Sequence, residues 1–424
     1  MLNHLPDTTI QVPDKPDTAP PSPAWPSDSY DRVPAWIYSD QAVYTKEQER
    51  VFRSSWNYVA LSAELPENGS FKRSWVGDAP VVVTRDRDGV VHCVVSRCAH
   101  RGVEFVRELR GTLKCLRCPY HQWTYSLDGR LTGVPFRRGV GGKGGMPPDF
   151  DASASGLQRL AVTERNGVIF ASFASEPPSL ELSLGPTMIG YFDRVFNGRP
   201  LEILGYSRQR IPCNWKLIFE NIKDPYHAST LHVFLVTFGL FRADTPAAVK
   251  MDPSGAHSVL ISSKRDAVSA AETAELATFR KDLSLNEPEL VQPIDEFDDP
   301  HTAVMQTIWP NLIVQQQVNT LATRHIVPRG PGQADLLWTF FGYAGEDPVL
   351  RRRRLLQANL MGPAGLVSVD DGEVLQQTQD GASAYPEANY LVEMGGRDLA
   401  DADHMVTEVA IRAFYQHYRE VMDL

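Results

Sequence analysis

The sequence predicts an α+β chain, with a compact all-β domain ahead of a larger domain that mixes strands and helices. Three observations carry this. Between Trp56 and Phe173 the chain is a series of short β-rich runs divided by glycine turns. Beyond residue 180, helical stretches alternate with strand-like segments such as 303–308 and 336–342. The chain closes on Ile411, Phe414, Tyr415, Tyr418 and Met422, whose spacing marks an amphipathic helix packed on a core.

Taken in order, residues 1–32 read as a flexible extension. Residues 1–26 hold seven prolines and four charges, with too little apolar surface to offset chain entropy. Residues 33–55 carry an N-terminal helix, spaced helically from Tyr44 to Trp56, which is expected to pack on the second domain. The all-β domain spans 56–173. Its runs Val81–Thr84 and Val90–Val95 are separated by Asp88-Gly89, a hairpin signal. The glycine-rich stretch 139–146 lacks the Lys-Ser/Thr and following helix of a phosphate loop, so it reads as a surface loop. Residues 174–424 form the α+β domain.

Composition narrows the function. The chain has 424 residues, 42% hydrophobic and 22% charged, which suits a sizeable globular core. With 42 basic and 52 acidic residues the net charge is −10, so nucleic acid is not an expected partner. The longest basic block, Arg351–Arg354, reads as the solvated face of a helix. No apolar run approaches the roughly 18 residues of a membrane span, and no signal-peptide pattern is visible. Five cysteines fit a reducing compartment, so the expected location is cytoplasmic.

Two constellations carry chemistry. The first is Cys98-Ala-His100-Arg-Gly followed by Cys118-Pro-Tyr-His121. Two Cys and two His fit tetrahedral zinc, with Cys115 as a further thiol, or a [2Fe-2S] centre with mixed ligands. Zinc sites favour paired-cysteine knuckles, whereas here each cysteine is followed by a histidine. The spacing resembles the Rieske family, which implies that Cys98 and Cys118 bind one iron and His100 and His121 the other. Cys93 and Cys213 read as buried small hydrophobes.

The second constellation lies in 213–232. Asn221, Asp224 and His227 are spaced three apart, as on one side of a helix. His227 and His232 would sit about 140° apart on an ideal helix, so the helix must loosen between them, and Pro225 favours that. The best third ligand is an acid in Gly362-Pro-Ala-Gly…Asp370-Asp371-Gly372-Glu373; alone, Asp370-Asp371-Gly372 would read as a turn. Two imidazoles and a carboxylate make the site of non-haem Fe(II) oxygenases, with positions left open for O2.

Together these motifs resemble the large (α) subunit of aromatic-ring-hydroxylating Rieske oxygenases over residues 33–424. The segments 190–198, 208–212, 315–319 and 403–408 are most similar to the salicylate-, anthranilate- and terephthalate-oxidising members. The resemblance implies a Rieske domain followed by a helix-grip-like catalytic domain, an antiparallel sheet with helices. It implies a [2Fe-2S] cluster, and a mononuclear Fe(II) held by His227, His232 and Asp371, in preference to Asp370. Asn221 and Asp224 would act beside that iron, Asp224 bridging the two centres. Electrons would come from NAD(P)H through a separate reductase and ferredoxin. A small β subunit and an α3 or α3β3 head-to-tail assembly would complete the enzyme, with no membrane and no nucleic acid. The substrate would be an aromatic carboxylate, held by Arg324 on the strand-like 318–327 with Gln316, between walls of Ile222, Ala228, Val236, Met361 and Val367. A Rieske electron carrier would not need the second domain, and an amine monooxygenase fits the carboxylate-like segments less well.

Overall fold

The computed structural model describes residues 24–242, 244–263, 280 and 282–424. Most of the proline-rich extension lies outside the described residues. Its end, 24–32, is not a free tail: Trp25 packs edge-on against Trp36 at 6.4 Å, and Arg32–Pro34 pairs antiparallel with Asn389–Leu391. The next helix runs Gln41–Glu47, earlier than the spacing from Tyr44 suggests, because Asp40 caps it through the amides of Ala42 and Val43. Its last residue, Glu47, is buried and holds Lys216 Nζ at 2.5 Å, Tyr418 Oη at 2.7 Å and Trp215 Nε1 at 2.9 Å. A carboxylate with three donors is the arrangement that makes a buried ion pair tolerable, and it fastens the N-terminal segment to the second domain.

The all-β part contains a four-stranded antiparallel sheet, in the order Val91–Val95, Ala79–Arg85, Ser70–Val76, Arg110–Thr112. A three-stranded sheet packs with it, ordered Ala161–Arg165, Val168–Ser172, Asn57–Leu61. The expected hairpin forms, with Asp86 Oδ1 accepting from the amides of Asp88 and Val90. Strand alternation divides the valines: Val82 joins the cluster containing Cys98 and Cys118, while Val81 and Val83 join the core shared with Val59 and Ile169.

The second part is built on a seven-stranded antiparallel sheet. Its order is Leu201–Ile211, Ala334–Tyr343, Thr320–Pro328, Leu312–Gln317, His301–Ile308, Ser258–Ser263, Ala247–Met251. One face carries Ile313, Ala322, Ile326 and Trp338 against the helices Trp215–Lys223, Leu366–Ala384 and Val409–Met422. The other face packs Val314, Leu321 and Phe341 against the helix Leu180–Val195 and against Tyr58 and Phe170 of the all-β part. Tyr58 Oη and Thr323 Oγ1 meet at 3.0 Å across that seam, and Asn311 Oδ1 accepts from the Tyr58 amide at 2.9 Å.

The arginine run departs from its expected solvated role. In the helix Pro348–Met361, Arg354 is 1% exposed and pairs with Glu296 and Glu346, while Arg353 donates to the Gln292 carbonyl. These partners lie outside the run itself, so local polarity misleads. The run clasps the segment 289–296, and Arg354 also donates to the Asn319 carbonyl next to the sheet.

Among the described residues, no helix is long and apolar enough to cross a membrane.

Candidate active site

The site grows from the end of the helix Trp215–Lys223, which is capped by Asn214 Oδ1 on the Lys216 amide at 3.0 Å. The helix stops there because Pro225 disfavours α geometry in the residue before it. Asp224 accordingly takes φ −99°, ψ 99°. Asn221, Asp224 and His227 are therefore not on one side of a continuous helix, contrary to their spacing. Instead Asp224 Oδ1 caps the next turn, accepting from Tyr226 N at 2.8 Å and His227 N at 3.3 Å. His232 sits between the short helices Ala228–Leu231 and Val233–Thr237 at ψ 84°. That break swings its ring back to a centroid distance of 5.3 Å from His227.

Asp371 arrives from the other side. It lies within the helix Leu366–Ala384, so Asp370-Asp371-Gly372 is not a turn. The start of this helix is packed so tightly that a Cβ on Gly365 would overlap the Leu360 carbonyl. Asp371 Oδ1 is 3.5 Å from His227 Nε2, 3.2 Å from His232 Nε2 and 3.0 Å from Asn221 Nδ2. One donor atom from each of His227, His232 and Asp371 falls within 4.8 Å of the others. Each histidine turns Nε2 toward this point and Nδ1 toward an acid: Asp224 Oδ2 at 3.3 Å for His227, and Asp370 Oδ2 at 3.3 Å for His232. The Asp370 hydrogen bond fixes the tautomer and orients the His232 ring, whereas Asp224 faces His227 Nδ1 as a nearby charge without hydrogen-bond geometry. Burial alone would lower His227, but the carboxylates of Asp224 and Asp371 raise it to about 10. Burial alone would raise Asp371, but the two imidazoles hold its carboxyl well below the usual range. The donor set, two neutral-capable imidazoles and one ionised oxygen on one side of a cavity, fits Fe(II).

The cavity beside this point is lined by Ile222, Ala228, Val367 and Arg324, as expected from the sequence. Three other expected residues are not there. Gln316 alternates to the opposite face of its strand, where it accepts from Arg194 Nη1 at 3.2 Å and donates to the Val318 carbonyl at 2.7 Å. Val236 is 1% exposed and turned inward, leaving the wall to Leu235. Met361 is fully buried in the cluster behind Val367. Sequence reasoning missed Gln317 and Met305 in the wall, and Asp370 behind His232.

Arg324 is 4% exposed. Its guanidinium stacks 4.0 Å over the Trp338 ring, and Nε donates to Gln315 Oε1 at 2.5 Å. Burial pushes it down to about 9, and Asp371 acts on it in the opposite sense. Among the described residues no carboxylate pairs with it.

The cysteine–histidine motif folds as two adjacent loops. In each, the cysteine carbonyl accepts from the amide four residues on, Gly102 for Cys98 and Gln122 for Cys118. Cys98 and Cys118 are buried at 2% and 1%, while the rings of His100 and His121 stand 4.6 Å apart at the rim. Tyr125 Oη lies 3.4 Å from Cys98 Sγ. Buried thiols below two neighbouring imidazoles fit a [2Fe-2S] centre ligated by two thiolates and two imidazoles. Cys115 is only partly buried, unlike Cys98 and Cys118.

Residues 55–142 match the family described as Rieske [2Fe-2S] domain, and residues 198–424 match the ring hydroxylating alpha subunit (catalytic domain). The chain belongs to the ring-hydroxylating oxygenase α-subunit family. Within it, the chain is 49% identical over 411 residues to the salicylate 5-hydroxylase large oxygenase component of a Ralstonia species, covering 95% of this chain and 97% of that one. It is 42% identical to the anthranilate 1,2-dioxygenase large subunit of Burkholderia cepacia, covering 94% and 95%. The Rhodococcus naphthalene 1,2-dioxygenase structure shares the fold at a TM-score of 0.76 and 24% identity, covering 92% and 94%. The matched families thus pair a Rieske [2Fe-2S] domain with a ring-hydroxylating catalytic domain, and the latter contains the His227, His232 and Asp371 cluster that could hold a metal ion.

Proposed function

We propose that this α subunit hydroxylates a single-ring aromatic carboxylate of the salicylate or anthranilate type, using O2. One observation carries the reading: Arg324 is a buried cation with no carboxylate of its own among the described residues, opening into the iron cavity. A desolvated guanidinium without an anion is costly, and a substrate carboxylate supplies one with bidentate geometry. The similarity to the salicylate and anthranilate enzymes supports the same substrate class.

Arg324 grips the carboxylate through Nη1 and Nη2, since Nε is committed to Gln315. Ile222, Leu235 and Val367 hold the ring and exclude water. Asn221 Nδ2 steadies the Asp371 oxygen, and Asp224 holds the turn that carries His227 through the Tyr226 and His227 amides. When bound, the iron supplies O2 activation and the cluster supplies single electrons, fed from NAD(P)H by a reductase and a ferredoxin. His100 is exposed, as it would need to be in a head-to-tail α3 ring, with or without a small β subunit, in which Asp224 meets a neighbour's cluster histidine.

The test is O2 uptake with product identification on salicylate, anthranilate, benzoate and terephthalate against quaternary amines. Uptake coupled to hydroxylated aromatic acid is expected. Coupling to amines alone, or an unchanged KM in Arg324→Leu, overturns the reading.

A further inference from the structure

The carboxylate anchor sits at the head of a short hydrogen-bond chain. Arg324 Nε can only donate, and it donates to Gln315 Oε1 at 2.5 Å. That commitment fixes the Gln315 amide, so its Nε2 points onward and donates to Gln317 Oε1 at 3.2 Å. Gln317 Oε1 is thereby an acceptor already in use, and its Nε2 is a donor. Gln317 lines the iron cavity with Arg324, and among the described residues no hydrogen bond uses its Nε2. An amide's two ends are ordinarily interchangeable in a structure, but a donor-only guanidinium removes the ambiguity. Strand geometry supports the arrangement. Gln315 and Gln317 share one face, and Arg324 shares it through its register partner Ile313.

We infer that Gln317 is a specificity-determining residue that reads the substituent ortho to the ring carboxylate. This rests on the proposed aromatic-carboxylate reading and deepens it. The cavity presents N–H groups at both points: Arg324 for the carboxylate and Gln317 for its neighbour. A 2-hydroxyl turns its own proton toward the carboxylate and offers an oxygen lone pair to Gln317. A 2-amino group also turns one N–H to the carboxylate, but its second N–H then faces the Gln317 N–H, and its lone pair is delocalised into the ring. An unsubstituted ring offers nothing. The site therefore ranks 2-hydroxybenzoate above benzoate, and benzoate above 2-aminobenzoate. A site built to hydrogen-bond a substituent discriminates because its own polar group is otherwise left unpaired.

The test is calorimetric binding of salicylate, benzoate and anthranilate to the holoenzyme and to Gln317→Leu, Gln317→Glu and Arg324→Leu variants, with the cluster absorbance as a check on folding. Gln317→Leu should weaken salicylate about 10-fold and move benzoate less than about 2-fold. Gln317→Glu replaces the donor with an acceptor and should reverse the order of salicylate and anthranilate. Arg324→Leu should weaken all three alike. Equal losses of salicylate and benzoate in Gln317→Leu, or an unchanged order in Gln317→Glu, overturn the inference alone. Failure of the wild-type enzyme to bind any of the three acids overturns the aromatic-carboxylate reading, and the inference with it.

Discussion

Asp370 and Asp371 are adjacent acids with different tasks, and separating them is a quantitative test. Asp371 offers its oxygen at the point where both Nε2 atoms converge, so Asp371→Ala should abolish mononuclear iron binding. Asp370 touches only the far side of His232, 3.3 Å from Nδ1, with 40% of its side chain exposed. Losing an acid that orients a ligand typically costs about 10–100-fold in metal affinity. The exposure of Asp370 screens it, so Asp370→Ala should fall near the lower end, about 10-fold, equivalent to about 1.4 kcal/mol. The assay is titration of iron-stripped protein with Fe(II) against a chelator of known affinity. The cluster absorbance, which neither substitution touches, reports the protein concentration. An Asp370→Ala enzyme with wild-type iron affinity refutes the claim that Asp370 orients His232. An Asp371→Ala enzyme that keeps its iron refutes the triad.

Gly365→Ala should displace the start of the helix carrying Asp371, because a Cβ there meets the Leu360 carbonyl; iron occupancy should fall while the cluster spectrum stays, and unchanged occupancy counts against the packing argument. Asp224→Asn should leave both metal centres loaded yet block re-reduction of the iron site in single-turnover experiments; full activity would remove Asp224 from the electron path. Lys223 is buried against Ser258 Oγ at 2.9 Å and Thr307 Oγ1 at 2.8 Å, and burial lowers it to about 7. The unfolded lysine titrates near about 10.4, so the native state binds fewer protons between these values. Its contribution to stability is then present above about pH 10.4 and is lost as pH falls toward about 7. Lys223→Met leaves Ser258 and Thr307 bonded to each other at 2.8 Å. The Tm of wild type relative to this variant should rise with pH across that window, and a constant difference would show that Lys223 does not titrate there.

Much of the architecture was legible because its signals are local. The Cys98–His121 motif is a matter of spacing within two loops, and the terminal helix announces itself by periodicity. The choice of Asp371 as carboxylate ligand rests on the family resemblance around Gly362-Pro-Ala-Gly, whose last glycine the packing requires. What misled were features settled by distant partners. The Arg351–Arg354 run looked solvated because Glu296 and Glu346 come from outside its helix. Asp224 looked helical because spacing ignores the backbone bias that Pro225 imposes. Three successive glutamines give no clue to their faces, and Gln317 rather than the expected Gln316 lines the cavity. A usable signal was present. Only Val318 and Asn319 separate Gln317 from its partner Thr320, and counting outward from that short turn puts Gln315, Gln317 and Arg324 on one side. Asp370 could not have been assigned from the sequence, because its role depends on how far the helix Leu366–Ala384 is rotated toward His232.

The strand Thr320–Pro328 sets two neighbours back to back: Thr323 bonds the Rieske domain through Tyr58, while Arg324 opens into the cavity. Alternation makes this a reading frame. A one-residue insertion or deletion ahead of position 323 would turn the threonine into the cavity and the guanidinium into the domain seam, spoiling both duties in one event. Point substitution at 324 alters one duty and leaves the other. Lineages descending from this fold can thus diversify at the anchor by exchanging residues, whereas length changes in this strand are closed to them. Variation in chain length has to accumulate elsewhere, in the loops beyond the sheet.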